Sequence, residues 1–285
     1  MRLLITGANG FLGYRLNAWY GERTEYDVLP ITRAQMDLTD RDAVWKVLSE
    51  TRPDIVIHCG AISDTSACAQ NPVWSRKVNV DGTAHLALSC RSVGAKLILC
   101  SSDQVYFGNG IEVPHREDEA LLPPHEYGRQ KEEAESQALK LCEDTVCLRL
   151  SWMYALIWRK EEHGNLLRSI SEAVKGHQSI PFAVHDFRSI TDVCEVVENM
   201  EKTFALPPGI YNFGSPNDLS AYELLLTASE NIGELRSLIR ENREAFAQNP
   251  RNLQMSQEKV NGQQIYFRDS AVSLRNNLMK LRSGF

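Results

Sequence analysis

The strongest constraint on the fold of this chain lies in its first sixteen residues, MRLLITGANGFLGYRL. The apolar run Leu3-Leu4-Ile5 has the pattern of a buried parallel strand, and apolar residues at helical spacing begin at Phe11. Glycines three residues apart join the two segments. Such a turn bends sharply, lets a backbone approach a pyrophosphate and presents helix N–H groups to it. The sequence therefore predicts a dinucleotide site that includes Gly7, Asn9, Gly10, Phe11, Leu12 and Gly13.

Length and charge exclude several classes of partner. The chain has 285 residues and a net charge of −6, from 31 basic and 37 acidic residues. This balance disfavours nucleic acid and anionic membranes as partners, and no apolar run approaches the roughly 18 residues of a membrane span. Because the first strand starts at the beginning of the sequence, we expect no leader segment and a cytoplasmic location.

The cysteines carry no sign of a metal site. Several lie in apolar runs, namely Cys59, Cys100 and Cys147, and these are expected to be small buried hydrophobes in a reducing compartment. No spacing of cysteine and histidine resembles a zinc site. No metal is therefore predicted.

The second predicted strand, residues 27–31, bears on the choice of cofactor. Sites that prefer NAD usually carry an acidic residue at the end of this strand, which holds the ribose 2′-hydroxyl. Here the strand ends at Thr32-Arg33, and Arg33 could pair with a 2′-phosphate; a solvated surface arginine is the alternative. NADP(H) is therefore the preferred cofactor, with NAD(H) possible, and Asp37 and Leu38 are expected to line the adenosine part of the site.

The third predicted strand ends in small residues. It runs from Ile55 through His58 to Cys59-Gly60-Ala61. Ligands of doubly wound folds bind at this carboxyl edge, where small side chains let a cofactor pass close to the backbone. We expect Cys59, Gly60 and Ala61 to contact the cofactor, and His58 to be a strand histidine with a local partner.

A serine and a tyrosine–lysine pair supply candidate chemistry. A buried strand at 96–100 leads into Ser101-Ser102, and a helix opens later with Tyr127 and Lys131. Residues at i and i+4 share one helical face, and an ammonium beside a phenol lowers the pKa of that phenol. The tyrosine is then a proton donor or acceptor, and the serine hydroxyl can hold a substrate oxygen. Ser102, Tyr127 and Lys131 are the predicted catalytic residues.

These motifs, in this order and spacing, resemble the extended short-chain dehydrogenase/reductases, and the finer match is to the dTDP-4-dehydrorhamnose reductase branch. The resemblance covers almost the whole chain. Its hallmarks are Arg33-x-x-x-Asp37-Leu38-Thr39-Asp40, Arg52-Pro53-Asp54, Asn79-Val80-x-Gly82-Thr83, Ser102-Asp103-x-Val105, Tyr127-Gly128-x-x-Lys131, Arg149-Leu150-Ser151-Trp152-Met153-Tyr154 and Pro250-Arg251-Asn252-Leu253.

The resemblance implies NAD(P)H-dependent reduction of a 4-keto nucleotide-sugar, with the proton donated by Tyr127. It places Trp152 against the sugar. It also implies that Asp103, in the motif Ser102-Asp103-x-Val105, binds the substrate. Arg188 is a candidate clamp for the diphosphate, because a guanidinium bonds phosphate oxygens in pairs. A homodimer is a possible assembly.

Departures from the branch lie on the substrate side, at residues 65–70 and 186–191. They leave room for a non-catalytic NADP-binding role like that of the regulatory β subunit of methionine adenosyltransferase, which resembles this branch. A nucleotide-sugar 4-epimerase also stays open, because it uses the same serine, tyrosine and lysine. A 4,6-dehydratase is disfavoured, because Gln104 stands where that chemistry needs a carboxylate.

The predicted fold is a Rossmann-type doubly wound parallel α/β sheet with a smaller C-terminal α/β substrate lobe. We expect an NAD(P)-binding domain at 1–151 and a substrate-binding lobe at 152–285, interleaved with returning Rossmann elements at about 186–213. In the polar C-terminal region, Arg236, Arg240 and Arg243 recur at helical spacing, which predicts a helix with a solvated face.

Overall fold

The computed structural model describes residues 1–110, 114–160, 162 and 164–282. The chain forms two compact units, and several segments of the chain contribute to each. Unit 1 comprises Met1–Val105, Leu121–Arg149 and Asn199–Tyr211, and unit 2 comprises Tyr106–Ala120, Leu150–Glu198 and Asn212–Phe285.

The strands are β1 (Arg2–Thr6), β2 (Asp27–Ile31), β3 (Ile55–His58), β4 (Lys96–Ser102), β5 (Thr145–Leu150), β6 (Trp152–Tyr154), β7 (Ile180–Ala183), β8 (Asp186–Arg188), β9 (Ile190–Asp192), β10 (Gly209–Phe213), β11 (Ile239–Asn242) and β12 (Arg251–Leu253).

The α-helices are α1 (Phe11–Gly21), α2 (Arg41–Thr51), α3 (Thr65–Gln70), α4 (Pro72–Arg76), α5 (Gly82–Val93), α6 (Glu126–Leu141), α7 (Leu166–Lys175), α8 (Val193–Met200), α9 (Ala221–Ala228), α10 (Gly233–Leu238), α11 (Glu258–Asn261) and α12 (Ser270–Arg282). A π-helical turn at Lys77–Asp81 joins α4 to α5, and 3₁₀ turns occupy Asp103–Tyr106 and Glu201–Ala205.

A six-stranded sheet carries unit 1, in the order β2-β1-β3-β4-β5-β10. β1 pairs in parallel with β2 on one side and with β3 on the other. The strand order reverses at this point, so a crevice opens outside the carboxyl ends of β1 and β3, where doubly wound folds bind ligands. The predicted α/β class with a Rossmann-type parallel sheet is confirmed.

The core of unit 1 follows from the apolar runs of the strands. Leu4, Val56 and Leu97 are fully buried on adjacent strands and pack against helix residues such as Leu48 and Leu86. Strands buried on both faces read as continuous apolar runs, which is the pattern seen in the sequence. This packing fixes the carboxyl ends of β1, β3 and β4 along one edge of the sheet.

Unit 2 contains only short sheets among its described residues. β7 pairs with β11, β8 with β12 and β6 with β9, each pair in parallel. A two-stranded sheet is marginally stable alone, so packing against helices must support these pairs. Leu167, Ile170, Leu224 and Leu274, from α7, α9 and α12, belong to the apolar cluster that does so.

The boundaries of the two units do not coincide with the single division at 151/152. Residues 106–120 lie in unit 2 and residues 199–211 in unit 1, while β8 and β9 pair with β12 and β6 of unit 2. The predicted arginine helix is wrong: α10 ends at Leu238, and Arg240 lies on β11, which pairs with β7.

Candidate active site

The turn after β1 has no room for a side chain at the position of Gly7, and the helix that follows has none at Gly13. Gly7 has φ +66°, in the left-handed region, and a Cβ there would lie 2.8 Å from the backbone nitrogen of Gly60. A Cβ on Gly13 would collide with the carbonyl oxygen of Gly7. α1 begins after Gly10 without a side-chain cap, so the N–H groups of its first turn are available to an anion.

A cavity of about 350 Å³ lies at the carboxyl ends of β1, β2 and β3. Of the predicted cofactor residues, the lining includes Gly7, Asn9, Gly10, Arg33, Asp37, Leu38, Cys59, Gly60 and Ala61. Phe11, Leu12 and Gly13 lie instead in the start of α1. Sequence reasoning missed Ile62 and Val78 in the lining. Ile62 directly follows the predicted small residues, whereas nothing in the sequence marks Val78.

The segment that follows β2 contributes one guanidinium, of Arg33, and one carboxylate, of Asp37, to the lining of this cavity. Asp37 Oδ1 accepts hydrogen bonds from the backbone nitrogen of Thr39 at 2.9 Å and from its hydroxyl at 2.8 Å. These bonds, with a smaller contribution from Arg33, hold the pKa of Asp37 below its usual value. The narrow glycine turn, the uncapped helix start and the exposed Arg33 together fit the adenosine and pyrophosphate part of an NAD(P) cofactor.

Ser102, Tyr127 and Lys131 lie together in unit 1, where α6 packs on the end of β4. Lys131 Nζ donates to the carbonyl oxygen of Cys100 at 2.9 Å and lies 6.0 Å from the centroid of the Tyr127 ring. The Ser102 hydroxyl donates to Asp103 Oδ1 at 3.3 Å and accepts from the Gln104 nitrogen at 3.2 Å, and its side chain lies close enough to Tyr127 to affect the pKa of that phenol. Tyr127 is 7 % exposed and Lys131 is 5 % exposed, so both polar groups are largely withdrawn from water.

Burial sets the protonation states of this pair. It raises the pKa of Tyr127 above its ordinary value, which the neighbouring Ser102 side chain only partly opposes. Burial also lowers the pKa of the Lys131 ammonium. The expected lowering of the tyrosine pKa is therefore not found for the protein groups alone, because desolvation of the phenolate is the largest contribution and raises the pKa. Tyr127 is a protonated phenol at neutral pH, as a proton donor must be.

The residues around Tyr127 explain how α6 reaches the strand end. A Cβ on Gly128 would lie 2.8 Å from the carbonyl oxygen of Gln104, so only glycine permits this approach. His125 caps the helix by accepting from the nitrogen of Gly128 at 2.9 Å, and its other ring nitrogen contacts Gln104 Oε1 at 3.1 Å. Sequence reasoning missed His125, because histidine is not among the residues that usually mark a helix start.

The π-helical turn at 77–81 orients Asn79. Its Oδ1 accepts from the nitrogen of Ile62 at 2.8 Å, and its Nδ2 donates to Gln130 Oε1 at 2.9 Å. Single π turns inside helices are frequent at functional sites. Here the turn ties the segment after β3, which lines the cavity, to the helix that carries Tyr127.

His58 is a structural residue, as expected. Its Nδ1 lies 2.7 Å from Thr6 Oγ1, and its Nε2 lies 3.1 Å from Thr83 Oγ1. The Thr83 hydroxyl donates to the carbonyl oxygen of Asn79, so it accepts from His58 Nε2–H and leaves Nδ1 to accept from Thr6. This arrangement holds a neutral imidazole, and burial lowers the pKa of His58 to about 3.

In unit 2, the structure brings together two of the predicted substrate residues. Arg188 Cζ lies 4.7 Å from the centroid of the Trp152 ring, within cation–π distance. The register of β6 and β9 pairs Trp152 with Ile190, which places Arg188 just before the partner strand. Asp103, the third predicted residue, is buried in unit 1 in the turn that follows β4.

The part of the chain that the structure describes contains no helix long and apolar enough to cross a membrane. It also contains no cluster of His, Cys, Asp or Glu suited to a metal ion.

The short-chain dehydrogenase/reductases are a class of NAD(P)-dependent oxidoreductases. They share a Rossmann sheet with a glycine turn where the strand order reverses, and a serine, a tyrosine and a lysine near the strand ends. This chain is one of them. Within that class it belongs to the family described as RmlD substrate binding domain, whose model matches residues 1–281.

Three relatives illustrate the range of this family. The dTDP-4-dehydrorhamnose reductase of Mycolicibacterium smegmatis is 33% identical over 234 residues, which cover 81% of this chain and 69% of that protein. Methionine adenosyltransferase 2 subunit beta of Bos taurus is 26% identical over 289 residues, covering 94% of this chain and 85% of that protein. The solved dTDP-4-dehydrorhamnose reductase of Bacillus anthracis, in complex with NADP, shares the fold with a TM-score of 0.84, 23% identity and 98% coverage of each chain.

Proposed function

We propose that the protein reduces the 4-keto group of a nucleotide-sugar to the alcohol, with NADPH as the preferred reductant. The observation that carries this proposal is the grouping of Ser102, Tyr127 and Lys131 in the unit that holds the dinucleotide cavity. Membership of a family that includes dTDP-4-dehydrorhamnose reductases supports the substrate class.

The roles of the three residues follow from their surroundings. Bound reduced nicotinamide supplies a hydride to the carbonyl carbon. Ser102 orients the carbonyl oxygen, and Tyr127 donates its proton to that oxygen as the alcohol forms. Burial keeps the phenol protonated until the oxygen becomes basic enough to take the proton. Lys131, whose ammonium donates to the Cys100 carbonyl, would bond the nicotinamide ribose when the cofactor is bound.

The substrate contacts are proposed for three further residues. Trp152 offers an aromatic face for the sugar, and the adjacent Arg188 offers donors for the diphosphate. Asp103 follows Ser102 directly and would bond a sugar hydroxyl. These assignments rest on the motif match and on the chemistry of the side chains.

The test is the decay of nicotinamide absorbance with NADPH and a panel of 4-keto nucleotide-sugars, with NADH measured in parallel. Turnover with one member of the panel and faster turnover with NADPH is the expected result. NAD that stays bound through purification, without net oxidation of added NADPH, would contradict the reductase and indicate a 4-epimerase.

A non-catalytic regulatory role is the second candidate. The specific observation in its favour is the match to methionine adenosyltransferase 2 subunit beta over 94% of this chain. Intact NADPH binding, no turnover across the panel and a stable complex with a partner enzyme would support it. The buried and neighbouring serine, tyrosine and lysine favour the reductase, because a pure binding protein has no need of a proton donor.

A further inference from the structure

Trp74 lies beside Arg33, which lines the cofactor cavity just after β2. The guanidinium carbon of Arg33 lies 5.6 Å from the centroid of the Trp74 ring, within cation–π distance. Trp74 is half-buried on α4, where its backbone nitrogen donates to Asn71 Oδ1 at 3.3 Å. Val78, four residues further along the same helical stretch, lines the cavity. The indole therefore lies beside Arg33, on the helical stretch that also contributes Val78 to the lining of the cavity.

Among the residues that the structure describes, Arg33 forms no ion pair within bonding distance. Asp37 is the nearby carboxylate, but its Oδ1 is held by the nitrogen and hydroxyl of Thr39. The Arg33 side chain is exposed and lines the cavity. A long exposed arginine samples many rotamers, so a contact that selects one of them prepares the site for its ligand.

We propose that Trp74 is a positioning residue for recognition of the 2′-phosphate of NADP(H). Its ring supports the flat face of the Arg33 guanidinium and thereby holds this group at the cavity mouth. This inference rests on the proposed preference for NADPH. It adds Trp74 to Arg33 as a residue that determines that preference. Trp74 belongs to none of the motifs that the sequence resemblance provides.

The geometry of guanidinium makes the two contacts compatible. Stacking on an indole uses the face of the planar group, whereas hydrogen bonds to phosphate oxygens use the N–H donors at its edge. Arg33 can therefore keep its contact with Trp74 while it donates to a phosphate. An NAD ribose has only a hydroxyl at the same position, so the contact with Trp74 affects NADP much more than NAD.

The test measures the dissociation constants of NADP⁺ and NAD⁺ by titration calorimetry, which needs no sugar substrate. Trp74→Leu removes the aromatic face, Trp74→Phe keeps a weaker one, and Trp45→Leu is the matched control at an indole that is 46% exposed on α2. We expect Trp74→Leu to reduce the preference for NADP⁺ over NAD⁺ about two- to fivefold. Trp74→Phe should keep most of the preference, and Trp45→Leu should leave it unchanged.

Arg33→Leu separates this inference from the proposed function. It should remove most of the NADP⁺ preference, and Trp74→Leu should then have no further effect in the double variant. Unchanged preference in Trp74→Leu, together with a loss in Arg33→Leu, would overturn the role of Trp74 and leave the NADPH proposal standing. Unchanged preference in both variants would overturn both. Unaltered NAD⁺ affinity in each variant shows that the cavity itself is intact.

Discussion

The two units use their buried polar side chains in different ways. In unit 1, Ser102, Tyr127 and Lys131 cluster at the end of one strand, close to a helix that carries two of them. In unit 2, polar contacts connect segments that are far apart in sequence. Asn277 donates to Asp192 at 2.7 Å, and the Ser273 hydroxyl donates to Glu195 at 2.6 Å.

The difference follows from the sheets. Unit 1 has a six-stranded sheet with an apolar core on its faces, so apolar packing supports its fold even where polar groups such as Arg149 and Glu135 are also buried. This leaves polar groups at the sheet edge for the proposed chemistry. Unit 2 has pairs of short strands in its described part, and buried hydrogen bonds and ion pairs help to fix which segments meet.

Arg251 illustrates the consequence for function. It belongs to a motif that the chain shares with the reductase branch, yet its guanidinium bonds both carboxylate oxygens of Asp186, at 2.8 and 2.5 Å. It also packs on Phe246, with its Cζ 4.1 Å from the ring centroid. β8 and β12 pair through the same residues, so this motif arginine supports the fold of unit 2.

The largest expected effect is on the chemistry of unit 1. Tyr127→Phe removes the proton donor while keeping the buried ring. Reduction of the 4-keto sugar should slow by about 10²- to 10⁴-fold, with NADP⁺ affinity unchanged. Single-turnover rates with NADPH provide the measurement, and Tyr14→Phe, at an exposed tyrosine of α1, is the control. Near-normal turnover in Tyr127→Phe would contradict the assignment of the proton donor.

The next effect concerns the stability of unit 2. Asp186→Asn breaks the ion pair with Arg251, both members of which are largely buried, and should lower the free energy of unfolding by about 3 kcal/mol. The exposed pair of Arg2 and Asp27 in unit 1 offers the contrast, because Asp27→Asn should cost less than about 1 kcal/mol. Urea unfolding of both variants measures the two values. Equal losses would show that the polar contacts of unit 2 have no special structural role.

A smaller effect is expected at the glycine turn of unit 1. Gly13→Ala forces a methyl group against the Gly7 carbonyl and should cost about 1–3 kcal/mol of stability, with weaker dinucleotide binding. Gly21→Ala lies on the same helix with open space around it, so helix propensity should make it neutral or slightly stabilising. Thermal unfolding with and without NADP⁺ tests both. A Gly13→Ala protein that is as stable as Gly21→Ala would contradict the close approach.

Much of unit 1 could be predicted from the sequence because each element there has a local signal. Apolar runs mark the strands, and the glycine turn has a spacing that few other structures require. The lining contributed by Val78 could not be predicted, because a π-helical turn sets the direction of that side chain. The direction of the pKa shift of Tyr127 could not be predicted either, since burial depends on how α6 packs on β4.

Unit 2 was harder to predict for a physical reason. Arg236 and Arg240 have helical spacing, and the apolar residues beside them, Leu235, Leu238 and Ile239, do not show which elements the segment joins. Residues 239–242 form β11 because β7 pairs with them, and β7 lies far away in sequence. A clear local signal in this unit is the Ser220-x-x-Glu223 pattern, which forms a capping box at the start of α9.

The smallest expected effect at neutral pH comes from His58, whose influence on stability appears only as the pH falls, and it sharpens the contrast within unit 1 between structural polar groups and those proposed for catalysis. The pKa of His58 is lowered to about 3 from 6.5, chiefly by burial and to a lesser extent by Lys131. Between these pH values the unfolded chain binds a proton that the folded chain does not, so the unfolding free energy rises with pH. The contribution is therefore complete above about pH 6.5 and is lost as the pH falls towards 3.

The slope from this one group is about 1.4 kcal/mol per pH unit within that window. His58→Gln removes the titrating group, so its unfolding free energy should depend less steeply on pH, whereas His177→Gln, at an exposed histidine, should keep the parent slope. Urea unfolding at several pH values between about 4 and 6 measures the slopes. If His58→Gln and the parent had the same slope, His58 would have to be charged in the folded protein. Its two threonine partners would then both have to accept hydrogen bonds from the ring. His58 at the end of β3 would then be a charged group beside the proposed catalytic residues and no longer a purely structural one.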